Sequence, residues 1–189
     1  VTLRYETDSL HIGYPFSFQM DVTFHIDKTG KLDCLTSVKN NGSKSFPFGD
    51  AWHPYFSLGT ELHNQLLSMP NCDEMEHIND LPSGNTFPFD HFREQNTLNG
   101  VNLNHCFKFE SNTEIKLTLN RSDNLATLYY QQDSNYPFTQ LYIPEGEQTI
   151  AIEPMTCPAN AFNNHIGLLE LAPNENQTFT WSCHAIFRG

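Results

Sequence analysis

Apolar and polar residues alternate without a break over residues 16–26 (FSFQMDVTFHI). Phe16, Phe18, Met20, Val22, Phe24 and Ile26 fall on one face, and Ser17, Gln19, Asp21, Thr23 and His25 on the other. Six apolar positions at period two predict a half-buried strand. Asp27-Lys28-Thr29-Gly30 supplies a turn, and residues 31–39 return as a second strand before Asn40-Asn41-Gly42-Ser43 turns the chain again. Further strands are predicted over residues 106–109, 114–119, 125–131, 138–143, 148–153 and 178–187. Only residues 59–67 carry a helical spacing. Residues 68–104 are polar, less regular and interrupted by proline, and are read as a long excursion over one end of the sheet. Loops of that kind often build binding sites in β folds. Short strands with regular turn punctuation predict an all-β chain, folded as an antiparallel sandwich in one domain over residues 1–189.

Composition agrees with this pattern. Aromatic residues make up 13% of the 189 positions, 15 of them Phe, while charged residues are only 17%. Asn occurs 19 times, and Pro and Gly add 11 and 10. Ring side chains for a core, with many turn formers, belong to a packed β protein rather than a disordered chain.

Charge narrows the partners. Ten Lys and Arg against 22 Asp and Glu leave a net charge of -12, a field that repels nucleic-acid backbones and anionic lipid surfaces. Neither nucleic acid nor membrane is an expected partner. Cys34, Cys72, Cys106, Cys157 and Cys183 are widely spaced, odd in number and free of any C-x-x-C pair. They are expected to be reduced and mostly buried, which suits the cytoplasm. The nine histidines show neither H-x-H nor H-x-x-x-H, so no metal is expected. No nucleotide-binding or α/β-hydrolase signature occurs either, and no cofactor is implied.

Three segments could carry chemistry. In Phe48-Gly49-Asp50-Ala51-Trp52-His53-Pro54-Tyr55-Phe56, Pro54 biases His53 towards an extended backbone. An imidazole exchanges protons near neutrality, and the flat faces of Trp52 and Tyr55 suit the C–H faces of a sugar. On composition alone the segment also reads as an aromatic core cluster around a hydrogen-bonded histidine. In Ile150-Ala151-Ile152-Glu153-Pro154, a carboxylate is set among apolar strand residues. Partial burial would raise its pKa and make it a stronger base, although a solvent-facing strand glutamate fits the same pattern. In Val101-Asn102-Leu103-Asn104-His105-Cys106-Phe107, Asn104 and His105 could hold hydroxyl groups or simply form an Asn-rich turn.

Together these motifs resemble the aldose 1-epimerase (galactose mutarotase-like) superfamily. The landmarks occur in the family's order: Tyr14-Pro15-Phe16, Trp52-His53-Pro54-Tyr55-Phe56, Leu81-Pro82-Ser83-Gly84, Thr139-Gln140-Leu141-Tyr142, then Ile152-Glu153-Pro154 with Asn160-Ala161-Phe162-Asn163, and Leu171-Ala172-Pro173-Asn174-Glu175. The resemblance implies a large β-sandwich, the galactose mutarotase-like supersandwich, that interconverts the α and β anomers of an aldohexose. It implies His53 as the general acid on the ring oxygen and Glu153 as the base on the anomeric hydroxyl. Gln140 matches a substrate-binding glutamine, and Asn104 stands where the family usually has aspartate. Trp52 and Tyr55 are expected to line the sugar site.

The resemblance runs from about Tyr14 to the end and covers the last two-thirds of the family pattern. The chain is therefore read as a fragment of a longer protein, lacking the first strands together with an arginine and a second histidine of the sugar site. An open sheet edge would call for a second copy or the missing segment of the same protein. A hexose-6-phosphate substrate would need a cluster of basic residues, and Arg4, Arg93, Arg121 and Arg188 are scattered. A neutral monosaccharide ranks ahead of it, with a non-catalytic carbohydrate-binding sandwich or a purely structural one as alternatives.

Overall fold

The structure, a computed structural model, describes residues 1–7, 11–110 and 114–188. Strands β1 (Thr2–Thr7), β2 (Phe18–Ile26) and β3 (Leu32–Asn40) form a meander, followed by the short β4 (Phe46–Phe48) and β5 (Tyr55–Phe56). Then come β6 (Gln65–Ser68), β7 (Cys72–Ile78), β8 (Leu81–Phe89), β9 (Asn96–Thr97), β10 (Asn104–Lys108), β11 (Ile115–Arg121) and β12 (Ala126–Gln132). The chain closes with β13 (Phe138–Tyr142), β14 (Ile150–Met155), the one-turn helix α1 (Ala161–Asn164), β15 (Leu169–Leu171) and the long β16 (Asn176–Phe187).

Two sheets organise these strands. The larger has the order β1-β2-β3-β16-β12-β11-β6-β9, and the smaller β5-β14-β13-β10-β7-β8; β4 and β15 pair separately. Every described strand pairing is antiparallel. Alternate residues of both sheets share one contiguous apolar core. Leu117, Leu119, Tyr130 and Trp181 come from the larger sheet, and Phe107, Leu141, Ile150 and Ile152 from the smaller. The other face of the smaller sheet carries its own small cluster of Met75, Cys106 and Phe138, backed by Met155 and Ile166. That face is where the candidate site lies.

The predicted strands are present with shifted ends, and two expectations are overturned. Residues 59–67 do not form an α-helix. A single 3₁₀ turn at Leu62–Asn64 leads directly into β6, where pairing with β11 outweighs the local helical spacing. Residues 68–104 are not a loose excursion either. They contain the long β7–β8 hairpin, which completes the smaller sheet. Pro82 and Pro88 masked it in the sequence, because proline argues against an interior strand. Here β8 is an edge strand, where proline is tolerated.

The connection from β12 to β13 carries the chain from one sheet to the other, and Gln132 holds it. This side chain is fully buried. Its Nε2 donates to the carbonyls of Tyr136 (2.6 Å) and Phe138 (3.0 Å), while its Oε1 accepts from the Tyr130 hydroxyl (3.0 Å) and Thr139 Oγ1 (2.9 Å). Every donor and acceptor site of the amide is used, by partners in both sheets and in the crossing itself. Gln132→Ala should cost about 3 kcal/mol, because it orphans several buried groups at once. Urea unfolding should show this as a lower midpoint at unchanged slope. The exposed Lys116→Ala, which loses only a surface ion pair to Glu114, should stay within about 0.5 kcal/mol of the parent.

Candidate active site

Residues 50–56 lie alongside β14, although only Tyr55–Phe56 is regular strand. Ala51 bridges Met155, and Tyr55 pairs with Ala151. Between them the Trp52 amide donates to the Pro154 carbonyl (3.1 Å) and the Ile152 amide to the Pro54 carbonyl (3.2 Å). The two prolines lack amide hydrogens yet still accept through their carbonyls, so the ladder runs through both. This register sets His53 directly opposite Glu153. Cross-strand partners have Cβ atoms about 4.5–5.5 Å apart, within reach of a side-chain bond. His53 Nε2 lies 3.1 Å from Glu153 Oε1.

The segment is anchored at its start. Asp50 exchanges two bonds with Thr156: its amide donates to Oγ1, and the Thr156 amide donates to its carbonyl, both at 2.9 Å. Its carboxylate accepts from the Tyr136 hydroxyl. Burial pushes the Asp50 carboxyl upward against that bond, and drives the Tyr136 phenol far above its usual range. The loop that positions His53 is thereby tied to the same crossing that Gln132 secures.

Strand pairing extends the row. Glu153 pairs with Gln140, and Gln140 with Cys106, so His53, Glu153, Gln140 and Cys106 run across four neighbouring segments. A parallel row one step along holds Tyr55, Ala151, Tyr142 and Asn104. Gln140 Nε2 donates diagonally to Asn104 Oδ1 at 2.9 Å. The Tyr55 ring lies 4.8 Å from the His53 ring at a tilt of 31°, and Tyr142 meets His53 edge-on at 6.5 Å. Above these rows opens a cleft of about 430 Å³, lined by His53, Asn104, Gln140, Tyr142 and Glu153, with His77 and Asp80 reaching in from the β7–β8 hairpin. That volume suits a small-molecule site.

The electrostatics follow from burial. The Glu153 side chain is 12% exposed and His53 is 52% exposed. Desolvation among Ala151, Met155 and Cys106 raises the Glu153 carboxyl above its ordinary value of 4.5, and the nearby His53 only partly opposes the shift. Burial, with Glu153 close by, pushes the Cys106 thiol up to about 12. It is therefore a neutral packing group, and its Sγ sits 3.6 Å from Met75 Sδ. Among the described residues no group of three or more His, Cys, Asp or Glu converges as metal ligands would.

His53, Glu153, Gln140 and Asn104 thus meet at one cleft, with Tyr55 against the His53 ring. Trp52 does not join them. Alternation turns it to the opposite face, where it packs against Trp181 (5.9 Å) and Phe24 (5.7 Å) and donates from Nε1 to Thr36 Oγ1 (3.1 Å). Its neighbourhood is the core, so the aromatic-core interpretation of this segment holds for the tryptophan. His105 likewise faces away from the cleft, with Nε2 3.8 Å from Glu74. The cleft also takes in Tyr142, His77 and Asp80, for which the sequence motifs imply no role. Tyr142 falls two residues after Gln140, hence on the same strand face, and that was a usable signal. His77 and Asp80 lie in the stretch taken for a loop.

The fold is shared with solved structures to which this chain is similar. The galactose mutarotase-like protein of Clostridium acetobutylicum superposes with a TM-score of 0.84 at 18% identity, over 100% of this chain and 62% of its own. The galactose 1-epimerase of Lactobacillus acidophilus NCFM gives 0.79 at 18% identity, over 100% and 63%. At this identity the structures establish the fold, a galactose mutarotase-like sandwich. Uncharacterized protein YihR of Escherichia coli K12 is 27% identical over 173 residues, which is 84% of this chain and 53% of that protein. The chain therefore spans about half the length of the curated relative it matches. The aldose 1-epimerase family model matches residues 1–184, nearly the whole chain. This chain belongs to the aldose 1-epimerase family.

Proposed function

We propose that the cleft interconverts the α and β anomers of a neutral aldohexose. The observation that carries this reading is the pairing of His53 and Glu153 at 3.1 Å on the wall of a sugar-sized cleft. Anomerisation must remove a proton from the C1 hydroxyl and deliver one to the ring oxygen. Both oxygens are bonded to C1, so the acid and the base have to stand close together. Glu153, as carboxylate, takes the hydroxyl proton; the C1–O bond becomes a carbonyl, and the electron pair of the breaking ring bond leaves with the ring oxygen. Protonated His53 gives that oxygen its proton. Rotation about C1–C2 presents the other carbonyl face, and the reversed transfers close the ring as the opposite anomer. Gln140 and Asn104, already bonded to each other, offer amide donors and acceptors to further hydroxyls.

Charge selects a neutral sugar. The cleft-lining residues include the carboxylates Asp80 and Glu153 and neither Lys nor Arg. A phosphate would meet repulsion rather than the basic clamp it needs, so a hexose-6-phosphate fits this cleft poorly.

Polarimetry of freshly dissolved α-D-galactose and α-D-glucose tests the reading. The chain should accelerate the approach to anomeric equilibrium, and Glu153→Gln should lower kcat by about 10²–10⁴-fold while leaving sugar affinity nearly unchanged. Unaltered turnover in that variant would remove Glu153 from the mechanism.

The raised Glu153 pKa gives two further expectations of defined sign. Only the carboxylate accepts a proton, so kcat/KM should fall as pH falls through a value above 4.5; an acid limb at or below 4.5 would contradict the assignment. A carboxyl raised in the folded state contributes stability below its unfolded pKa and loses it as pH rises through the folded value. Glu153→Gln should therefore melt at the same or a higher temperature than the parent at pH near 8, with the difference vanishing near pH 4. A lower melting temperature at pH near 8 would mean that pairing with His53 outweighs desolvation.

A further inference from the structure

The acid and base occupy one side of the cleft, and the chemistry above uses nothing from the other. That opposite side is built by the β7–β8 hairpin. In the sheet order, β7 lies three strands from β14, roughly 14 Å between backbones at about 4.8 Å per strand. A ligand that touches both walls must be at least the size of a monosaccharide. The hairpin places His77 and Asp80 in the cleft.

Local structure fixes where these two residues stand. Met75 pairs with Thr86 but His77 with Pro82, so Ser83, Gly84 and Asn85 face Glu76 alone. Gly84 takes φ +96°, which L side chains rarely adopt. The Glu76 carboxylate pins this bulge, accepting from Ser83 Oγ (2.6 Å) and Asn85 Nδ2 (2.9 Å). Bulges bend a strand and re-aim its side chains. The tip beyond it is a tight turn in which Asn79 and Asp80 are both left-handed, at φ 51° and 63°. The His77 ring is oriented as well. Its Nδ1 lies 3.0 Å from the Met75 carbonyl. A carbonyl only accepts, so Nδ1 carries a proton, and a neutral imidazole in this tautomer offers Nε2 as an acceptor.

An imidazole Nε2 and a carboxylate are complementary to hydroxyl donors and hostile to anions. We propose that His77 and Asp80 form a second wall of the sugar site, which accepts hydrogen bonds from ring hydroxyls remote from the anomeric carbon and so sets which aldose the cleft takes. This rests on the epimerase reading of the same cleft. A site built to hydrogen-bond a hydroxyl discriminates strongly against a sugar that lacks it, because its polar groups are then left unpaired.

The test uses the full chain and its His77→Ala and Asp80→Asn variants, with folding checked by melting temperature. Calorimetric titration with D-galactose, D-glucose and their 2-, 3-, 4- and 6-deoxy analogues gives Kd, and polarimetry gives KM and kcat. Each substitution should raise Kd and KM by about fivefold or more with kcat nearly unchanged, the mark of lost uniform binding. For one deoxy analogue the substitution should have no further effect, since the bond it removes is already absent. Values within twofold of the parent for every sugar would overturn the proposal, and so would an equal loss for all analogues, which signifies general loosening. A parent chain that binds hexose with this pattern but shows no turnover would sink the epimerase reading and leave the second wall standing. A folded parent chain that binds no hexose at about 100 mM, far above the Kd of a specific site, would overturn both.

Discussion

The fold depends on one buried amide at the place where the chain changes sheets. Residues 133–137 leave the hydrogen-bond ladder of β12 and enter that of β13; Ser134 and Asn135 are exposed, but Tyr136 is buried, and buried backbone groups need partners. Gln132 Nε2 satisfies two of them, the carbonyls of Tyr136 and Phe138, while its Oε1 accepts from the side-chain hydroxyls of Tyr130 and Thr139. Asp133 adds a second clasp by accepting the Thr180 amide at 2.7 Å. The Tyr136 hydroxyl, from the same crossing, reaches Asp50 at the root of the His53 segment. The strand that bears Gln140 and the segment that bears His53 are therefore placed by one connected set of buried polar groups. A fully satisfied network of this kind specifies geometry as well as contributing stability.

On that frame the His53–Glu153 pair is a consequence of register. Ala51–Met155 and Tyr55–Ala151 leave His53 and Glu153 no other relation than directly opposite. Desolvation of Glu153 works against stability but favours the proposed chemistry, because a carboxylate deprived of water is a stronger base. The fold tolerates this on a strand whose Ile150, Ile152 and Pro154 lie on the buried face, so that one unfavourable residue is carried by well-packed neighbours. Functional sites commonly trade stability in this way.

Much of this was legible in the sequence, and the exceptions have physical causes. Period-two patterning located β2, β3 and β11–β14, because a sheet with one buried face imprints its alternation on the chain. It also made Glu153 conspicuous between Ile152 and Pro154. The same alternation, applied across Trp52-His53, would have sent the indole and the imidazole to opposite faces. Aromatic chemistry alone points Trp52 to the sugar site, whereas its facing sends it to the core. The β7–β8 hairpin leaves little trace in the sequence, because the edge strand β8, with Pro82, Pro88 and the bulge at Gly84, carries little apolar periodicity. His77 and Asp80 are hidden with it. No sequence pattern could have shown that Gln132 bonds across two sheets, since its partners Tyr130, Tyr136, Phe138 and Thr139 meet only after the crossing has formed.

The distribution of the site over these elements has a mechanistic logic. Glu153 and Gln140 stand on the interior strands β14 and β13, and His53 on the edge segment held in register against β14; a shift of one residue would turn each side chain to the wrong face. The proposed proton transfer would demand that rigidity, because its rate depends on close placement of donor and acceptor. His77 and Asp80 stand on an edge hairpin whose tip is set by a bulge and a tight turn, features that can change without disturbing the ladder behind them. On the proposed function, reaction and recognition are thereby separated within one cleft. The proposed acid and base are fixed by strand register, whereas the opposite wall is governed by a few local hydrogen bonds around Glu76.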